Sequence, residues 1–485
     1  AIVPPNLQLF LSVSGSLLCT LCITLYYCSW CCCLLCKSCR CLGETNTAHA
    51  RHLGEITLKN ENCRKCNSKS HIKLRGSDNY CNDCFEAYAT HKFRGTLGKS
   101  KLVRPNDKIL VGFSGSAGSV ALLNLIRAGM QESVHKRLVF ETQVIFIDYF
   151  LEPRTEIEKK TTIDSIITLI KSFGFPGYVS SLSEIYNPEV KIHKIDEINY
   201  NYCQQASEES LKNLFQALTN ETAKQELLKK LRLTLLASIA RNLQCSKVFL
   251  ADSATSLAVD ILSNVAVGRG AQLSLDVGFV DDRFQELAIL RPMRDFTKQE
   301  LDYYLELHGL EPLKRNKKTN DNPFESIQKL TEDFVLDLES QFTGTVSTVY
   351  RTGAKISSQG FSAEEEQVCV ICNAPVDTKP QDGATAILAT EFSRFISTRG
   401  VRAVERNNGD CGSFKEPCGG CEGDCGSKKE QRVTVEQLRR FLCYGCRLIV
   451  HDKFEVDKLP GNITKKVKQL ACFEDMREQI KDFLL

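Results

Sequence analysis

The stretch VGFSGSAGSV, residues 111–120, decides the fold. With KILVGF (108–113) before it and SVALLNLIRAGM after it, an apolar strand enters a Ser/Gly turn and leaves into an apolar helix. Backbone N–H groups in such a turn, together with those of the first helical turn, surround an anion, and the Ser114 and Ser119 hydroxyls add donors. The stretch does not match the Walker pattern, which needs G-K-[ST] after four variable residues. Two readings are open for it: a phosphate loop formed by Ser114, Gly115, Ser116, Gly118 and Ser119, or a tight turn with no ligand.

Outward from this turn, strand-like and helix-like segments alternate. QVIFIDYF (143–150) is followed by a helical stretch over about 154–172, and VKIHKI (190–195) reads as a third strand. Two helical runs fill 205–244, KVFLAD (247–252) leads into SATSLAVDILSNVAVG, and ELAILRPM (286–293) precedes the helical segment 297–309. Strands separated by long helices predict an α/β fold, a parallel sheet with helices on both faces. Sites in such sheets lie beyond the C-terminal strand ends, which brings Ser114–Ser119, the end of 143–150 and Asp252 to one rim.

Cysteine organises the flanks. Of 24 cysteines, nine lie between Cys19 and Cys41, and most others come in C-x2-C pairs, which favours metal ligation over a secreted disulfide framework. Cys63, Cys66, Cys81 and Cys84 form two such pairs separated by fourteen residues. Four thiolates from two tight knuckles suit tetrahedral zinc, with a rubredoxin-like iron site as the alternative, and the segment 59–95 is too short to fold on a core of its own. Cys369, Cys372, Cys443 and Cys446 repeat the pattern with 70 residues between the pairs, and loop closure costs little more for the added length. Inside that insertion, Cys411, Cys418, Cys421 and Cys425 read either as a further four-thiolate or cluster site or as part of a flexible glycine-rich loop.

The formal charge of +3, from 62 basic and 59 acidic side chains, gives no strong global field and neither implies nor excludes nucleic-acid binding. Local basic candidates for RNA are Lys99, Lys101 and Arg104, beside the first knuckle module together with Lys92 and Arg94. KRNKK (314–318) forms a second patch, and Arg269 and Arg283 fall near the expected rim. The alternative for each patch is a solvated charge run, and for Arg269 and Arg283 it is ion pairing with Asp281 or Asp282. The uncharged stretch from Asn6 to Cys36 is long enough to span a bilayer, but its low-complexity run with Cys31–Cys33 reads as an artefactual or disordered leader. A membrane anchor or a buried helix stays open as the alternative. Cys203 and Cys245 read as ordinary core residues.

The expected layout is a leader (1–45), an N-terminal zinc knuckle module (59–95), the α/β domain (105–310), a polar extension (311–367), a C-terminal zinc ribbon with a cysteine-rich insertion (368–455) and a helical tail (456–485). The polar extension is read as facing solvent rather than adding a core.

GFSGSAGS resembles the SGGxDS loop of the adenine-nucleotide alpha-hydrolase-like, or PP-loop, superfamily, whose members adenylate a substrate oxygen. Aligned to it, Ser114, Gly115 and Ser119 match, Ser116 replaces a glycine and Gly118 replaces the aspartate. The resemblance therefore implies a degenerate PP-loop. A carboxylate there would help hold Mg²⁺ on a leaving pyrophosphate, so its loss leaves ATP on this chain in doubt.

Taken in order, the first knuckle pair, GFSGSAGS, ADSATSLAVDILSNVAVGRG, RPMRDFTKQEL and the final CVIC and LCYGCR resemble the cytoplasmic tRNA 2-thiolation protein 2 family over roughly residues 59–455. The resemblance implies a cytoplasmic, noncatalytic subunit with no catalytic residues of its own. Its implied partners are a catalytic tRNA 2-thiolation protein 1 subunit, tRNA, and a thiocarboxylated ubiquitin-related modifier that supplies sulfur for the wobble uridine of lysine, glutamine and glutamate tRNAs. Where catalytic relatives carry paired carboxylates, this chain has Ala251, Asp252 and Ser253, with Asp260 the next acidic residue. An autonomous ATP-dependent tRNA thiolase or ligase, and a membrane-tethered zinc protein that binds RNA or protein, are the alternatives.

Overall fold

The computed structural model describes residues 62–74, 78–131, 137–149, 155–197, 205–218, 220–313, 325–356, 367–376, 433–450 and 454–480. The leader at 1–45, Cys203, the KRNKK run and Cys411–Cys425 lie outside the described residues.

A seven-stranded sheet forms the centre, in the order β6-β5-β4-β3-β7-β9-β8. Its members are β3 (Lys108–Phe113), β4 (Glu141–Asp148), β5 (Gly177–Ser181), β6 (His193–Lys194), β7 (Lys247–Phe249), β8 (Val280–Phe284) and β9 (Leu287–Leu290). The five inner strands run parallel, and β6 and β8 are antiparallel edges. β3 pairs with β4 from Lys108↔Glu141 to Phe113↔Phe146 and on its other side with β7. The chain therefore leaves β3 in one direction and later returns to its opposite side. That switch opens a crevice beyond the ends of β3 and β7, where open α/β sheets place their sites.

Strand alternation sends neighbouring residues into two separate cores. Ile109, Val111, Phe113, Val144, Phe146, Phe249 and Leu290 enter one, and Leu110, Ile145, Ile147, Val248 and Ile289 enter the other. The first core is covered by α1 (Asn82–Ser100), α2 (Ala117–Met130), α3 (Glu156–Phe173) and α8 (Lys298–Leu307), and it continues into the hairpin of β1 (Ile72–Leu74) and β2 (Asp78–Tyr80). α2 is buried at every residue from Gly118 to Ile126, as expected for an apolar helix sandwiched within a core. The second core is covered by α4 (Gln205–Gln216) and α5 (Glu221–Asn242). It runs without a break into the C-terminal cysteine region, with α11 (Val435–Arg440), α12 (Tyr444–Ile449) and the start of α13 (Gly461–Ile480). Each cysteine module thus shares the core of one sheet face.

Helix starts follow their capping chemistry. Thr155 with Glu158, Ser253 with Ser256, Thr297 with Glu300 and Thr434 with Gln437 each form a reciprocal capping box, which satisfies donors that the first turn leaves open.

Two expectations need correction. The third parallel strand is Gly177–Ser181, not 190–195; within VKIHKI only His193 and Lys194 pair, antiparallel to Tyr178 and Val179. GYVSS tolerates burial because its hydroxyls find partners, Ser180 Oγ donating to the Lys191 carbonyl at 2.9 Å and Ser181 Oγ lying 2.8 Å from Ser183 Oγ. VDDRF, to which the sequence reading assigns no element, forms β8. Second, part of the polar extension adds a core of its own. α9 (Ile327–Gln341) and α10 (Thr345–Gly353) bury Val335, Val346 and Tyr350 against Leu257, Ala258 and Ile261 of α6 (Ala254–Ala266) and against Leu273 and Val277 of α7 (Leu273–Val277). Gly353 permits this approach, since a Cβ there would overlap the Ile261 side chain.

Candidate functional site

The turn between β3 and α2 runs through Ser114, Gly115 and Ser116. Gly115 takes φ +73°, a left-handed conformation suited to glycine, and Ser116 stands at the N-cap position of α2 without a side-chain cap hydrogen bond. The hydroxyls gather: Ser114 Oγ lies 3.0 Å from Ser116 Oγ and 3.5 Å from Ser119 Oγ, and Ser119 Oγ donates to the Ser116 carbonyl at 2.9 Å. Ser119 is fully buried. These hydroxyls thus spend part of their hydrogen-bonding capacity on one another.

Two neighbours occupy the space around the turn. The Leu313 N–H donates to the Gly115 carbonyl at 2.8 Å, and the Leu313 side chain lies over Gly115 so closely that a Cβ there would fall 2.9 Å from its Cβ. At Gly118, the position that carries the aspartate in the SGGxDS motif, a Cβ would lie 2.6 Å from the Ala251 carbonyl oxygen. The obstacle is backbone at the end of β7 and cannot rotate aside. The crevice at the switch point is thereby closed against an acidic side chain from α2.

The carboxylates that follow on the rim are already engaged. Asp252 accepts from Arg291 Nε at 3.0 Å, and Asp260 from Lys229 Nζ at 2.7 Å. Ser253 is the N-cap of α6 and accepts from the Ser256 N–H.

The RNA candidates divide. Lys99, Lys101 and Arg104 are exposed at and just after the end of α1. Lys92 is bound to Glu300 at 2.7 Å. Arg269 and Arg283 do not face the solvent: their side chains are buried in an acidic cluster, where Arg283 meets Asp281 as the ion-pair alternative had it and Arg269 pairs with other acids. Arg283 donates to Asp281 at 2.8 Å and to Asp276 at 2.6 Å, and Arg269 pairs with Glu226 and, at 3.2 Å, with Asp276. Burial alone pushes the Asp276 carboxyl up, yet Lys230, Arg283 and Arg269 hold it well below the usual carboxylate range. Sequence reasoning missed Asp276, Glu226 and Lys230 as members of this cluster, since a single acid in LSLDV carries no pairing signal.

Both outer cysteine sets converge. Cys63, Cys66, Cys81 and Cys84 have their sulfurs within 4.8 Å of one another, as do Cys369, Cys372, Cys443 and Cys446. Tetrahedral zinc with Zn–S near 2.3 Å places sulfurs about 3.8 Å apart. The Cys66–Cys81 and Cys372–Cys443 separations of 3.4 and 3.6 Å fit that size, so each set can hold one metal ion. Burial pushes the Cys63 thiol up, but backbone N–H groups of Cys81, Lys65 and Cys66 bring it down to about 6. Hydrogen bonds from Cys369, Cys443 and Cys446 lower Cys372 well below the ordinary thiol value, against burial. The sets differ in exposure: Cys66 is open to solvent and Cys84 half-buried, whereas the C-terminal four are all buried. Cys245 is a buried free thiol in the second core, as expected. Among the described residues, no helix is long and apolar enough to cross a membrane.

A family profile described as Cytoplasmic tRNA 2-thiolation protein 2 matches residues 326–448. The protein of that name from Danio rerio is 32% identical over 478 residues, covering 88% of this chain and 94% of the relative. The one from Homo sapiens is 30% identical over 488 residues, with coverage of 88% and 94%. Among solved structures, the U34-tRNA thiolase NcsA from Methanococcus maripaludis, determined with its 4Fe-4S cluster, is 16% identical and covers 63% of this chain and 92% of its own, at a TM-score of 0.46.

Proposed function

Because this chain belongs to the cytoplasmic tRNA 2-thiolation protein 2 family, we propose that it is the noncatalytic subunit of a heterodimeric complex that thiolates the wobble uridine of lysine, glutamine and glutamate tRNAs. The observation that carries this reading is Gly118. The chain lacks the motif carboxylate, and the Ala251 carbonyl fills the volume such a side chain would need. A metal-bearing adenylation centre needs charge neutralisation on the leaving pyrophosphate, and this crevice provides no acidic ligand from α2.

On this reading, ATP activation of the uridine oxygen and sulfur delivery from the thiocarboxylated ubiquitin-related modifier take place on the catalytic partner, a tRNA 2-thiolation protein 1 subunit. This chain contributes partner contact and tRNA positioning in the cytoplasm. Lys99, Lys101 and Arg104 would meet phosphates, setting register and salt dependence with little base discrimination. The residual loop at Ser114–Ser119 is a vestigial phosphate cradle, and ATP is not assigned to it. Cys63, Cys66, Cys81 and Cys84, and Cys369, Cys372, Cys443 and Cys446, would each hold a structural zinc ion, tying the modules at 59–95 and 368–455 to opposite sheet faces. Zinc in these sites would supply cross-linking and no chemistry, because four protein thiolates leave no open coordination position.

The test is to co-purify the partner and tRNA and measure wobble-uridine thiolation by mass spectrometry, with and without this chain. Thiolation should require the chain and should survive Ser114→Ala with Ser119→Ala. Loss of thiolation by that double variant within an intact complex would reject the noncatalytic assignment.

A further inference from the structure

The two cysteine centres face different electrostatic problems. A divalent ion on four thiolates carries a net negative charge. At the N-terminal centre, where Cys66 is exposed, water screens it. At the C-terminal centre Cys369, Cys443 and Cys446 are 0% exposed and Cys372 3%, so the charge must be balanced by the protein.

The fold brings a cation to that place. Gly445, between ligands Cys443 and Cys446, packs against Arg269 so tightly that a Cβ there would overlap Arg269 Nε and Cδ. Gly268, at φ +76°, lies under the Tyr444 ring, where a Cβ would fall 2.9 Å from Tyr444 Cε1. Glycines on both segments thus let residues 268–269 and 444–445 meet. The Arg269 terminal nitrogens are committed to Glu226, to Asp276 at 3.2 Å and to Gln272 at 3.4 Å. Its Nε is buried and has no hydrogen-bond acceptor among the described residues. A buried guanidinium N–H without an acceptor is costly; a metal cation cannot accept it, but the knuckle sulfurs become better acceptors as thiolates. A second buried cation, Lys230, shares Asp276 with Arg269 at 3.4 Å. Asp276 also takes Arg283, and with Glu226 on Arg269 and Asp281 on Arg283 three cations meet three carboxylates, so Arg269 acts on the knuckle by its position against it and not through surplus charge.

We propose that Arg269 is a positioning residue of the C-terminal metal centre, turned by Glu226 and Asp276 so that its Nε edge faces the Cys443–Cys446 knuckle and stabilises the loaded tetrathiolate. The proposal rests on the reading that Cys369, Cys372, Cys443 and Cys446 hold a divalent metal. Burial alone would lower the Arg269 pKa, but Asp276, Glu226 and the Cys446 and Cys443 thiolates raise it. Outer partners of this kind typically govern metal affinity by about 10- to 100-fold.

The experiment uses the full chain loaded with zinc, with total metal measured by mass spectrometry and release followed with a chromogenic chelator. The parent should hold two ions per chain and release them in a fast and a slow phase, from the exposed and buried centres. Arg269→Met combined with Glu226→Gln removes both charges of one pair, leaving neither buried alone. It should speed the slow phase by roughly tenfold or more and leave the fast phase unchanged. Gly445→Ala, which displaces the guanidinium but keeps its charge, should act in the same direction, and it decides the matter if the double variant does not fold. A slow phase of parental rate in a folded variant, or equal acceleration of both phases, would overturn the proposal. A parent that holds a single ion, with the C-terminal thiols open to alkylation after unfolding in chelator-free buffer, would instead reject the metal reading on which it rests.

Discussion

Gly118 offers a sign test of the closed crevice. Replacing a helical glycine by alanine ordinarily stabilises by about 1 kcal/mol, and an acidic side chain in the first turn of a helix adds about 0.3–1 kcal/mol from the helix dipole. Position 118 is the second residue of α2, so both gains are available there. Against them stands a Cβ placed 2.6 Å from the Ala251 carbonyl oxygen. Relief requires moving the end of β7 or tilting α2, and overpacking of this kind costs roughly 1–3 kcal/mol. Gly118→Ala is therefore expected to destabilise by about 1 kcal/mol net. Gly118→Asp should lose roughly 3 kcal/mol, since its carboxylate must also be desolvated beside a carbonyl oxygen. Denaturant unfolding of the metal-loaded chain reads both values, and titration with Mg-ATP reads whether restoring the motif residue restores a nucleotide site. Stabilisation by alanine, or Mg-ATP binding by the aspartate variant, would show that the crevice has room and that the Ala251 carbonyl does not close it.

Arg283→Met should cost about 3–5 kcal/mol in unfolding free energy, because it leaves Asp276 and Asp281 short of a buried partner, and it should leave the salt dependence of tRNA binding unchanged in whatever fraction folds. Conversely, replacing Lys99, Lys101 and Arg104 together by alanine should change stability by less than about 0.5 kcal/mol each. The same variant should lower the slope of log K against log salt by roughly 0.7–0.9 for every phosphate it no longer neutralises, measured by filter binding over a salt series. Chelator attack on the parent should empty the N-terminal centre first, because Cys66 is exposed and the C-terminal cysteines are buried; alkylation of released thiols followed by peptide mapping checks the order.

The parts of this molecule legible in its sequence are those where one residue type serves one purpose. KILVGF declares itself a buried parallel strand by its unbroken apolar run, and paired C-x2-C knuckles declare convergent thiolates by spacing alone. The strand at 177–181 escaped because serines filled inward positions, and Ser180 becomes tolerable in the core only through the Lys191 carbonyl, supplied by a distant loop. β8 escaped for the same reason in charged form: Asp281 is fully buried because Arg283 and Arg291 meet it, a pairing set by tertiary structure. Arg269 and Arg283 read as rim cations because their charge was visible while Asp276 and Glu226, which claim them, were anonymous acids elsewhere in the chain. At the loop, the loss of the motif aspartate could be read directly from Gly118. That the vacated volume is closed by the Ala251 backbone and that Leu313 covers Gly115 required the fold.

The most direct test of the helper-subunit account is pyrophosphate release from ATP in the presence of tRNA, measured for the purified chain alone and for the chain with its catalytic partner. The account predicts release only with the partner present, and unchanged release when Ser114 and Ser119 are replaced by alanine. Pyrophosphate release at a comparable rate by the chain alone, abolished by the same substitutions, would contradict it.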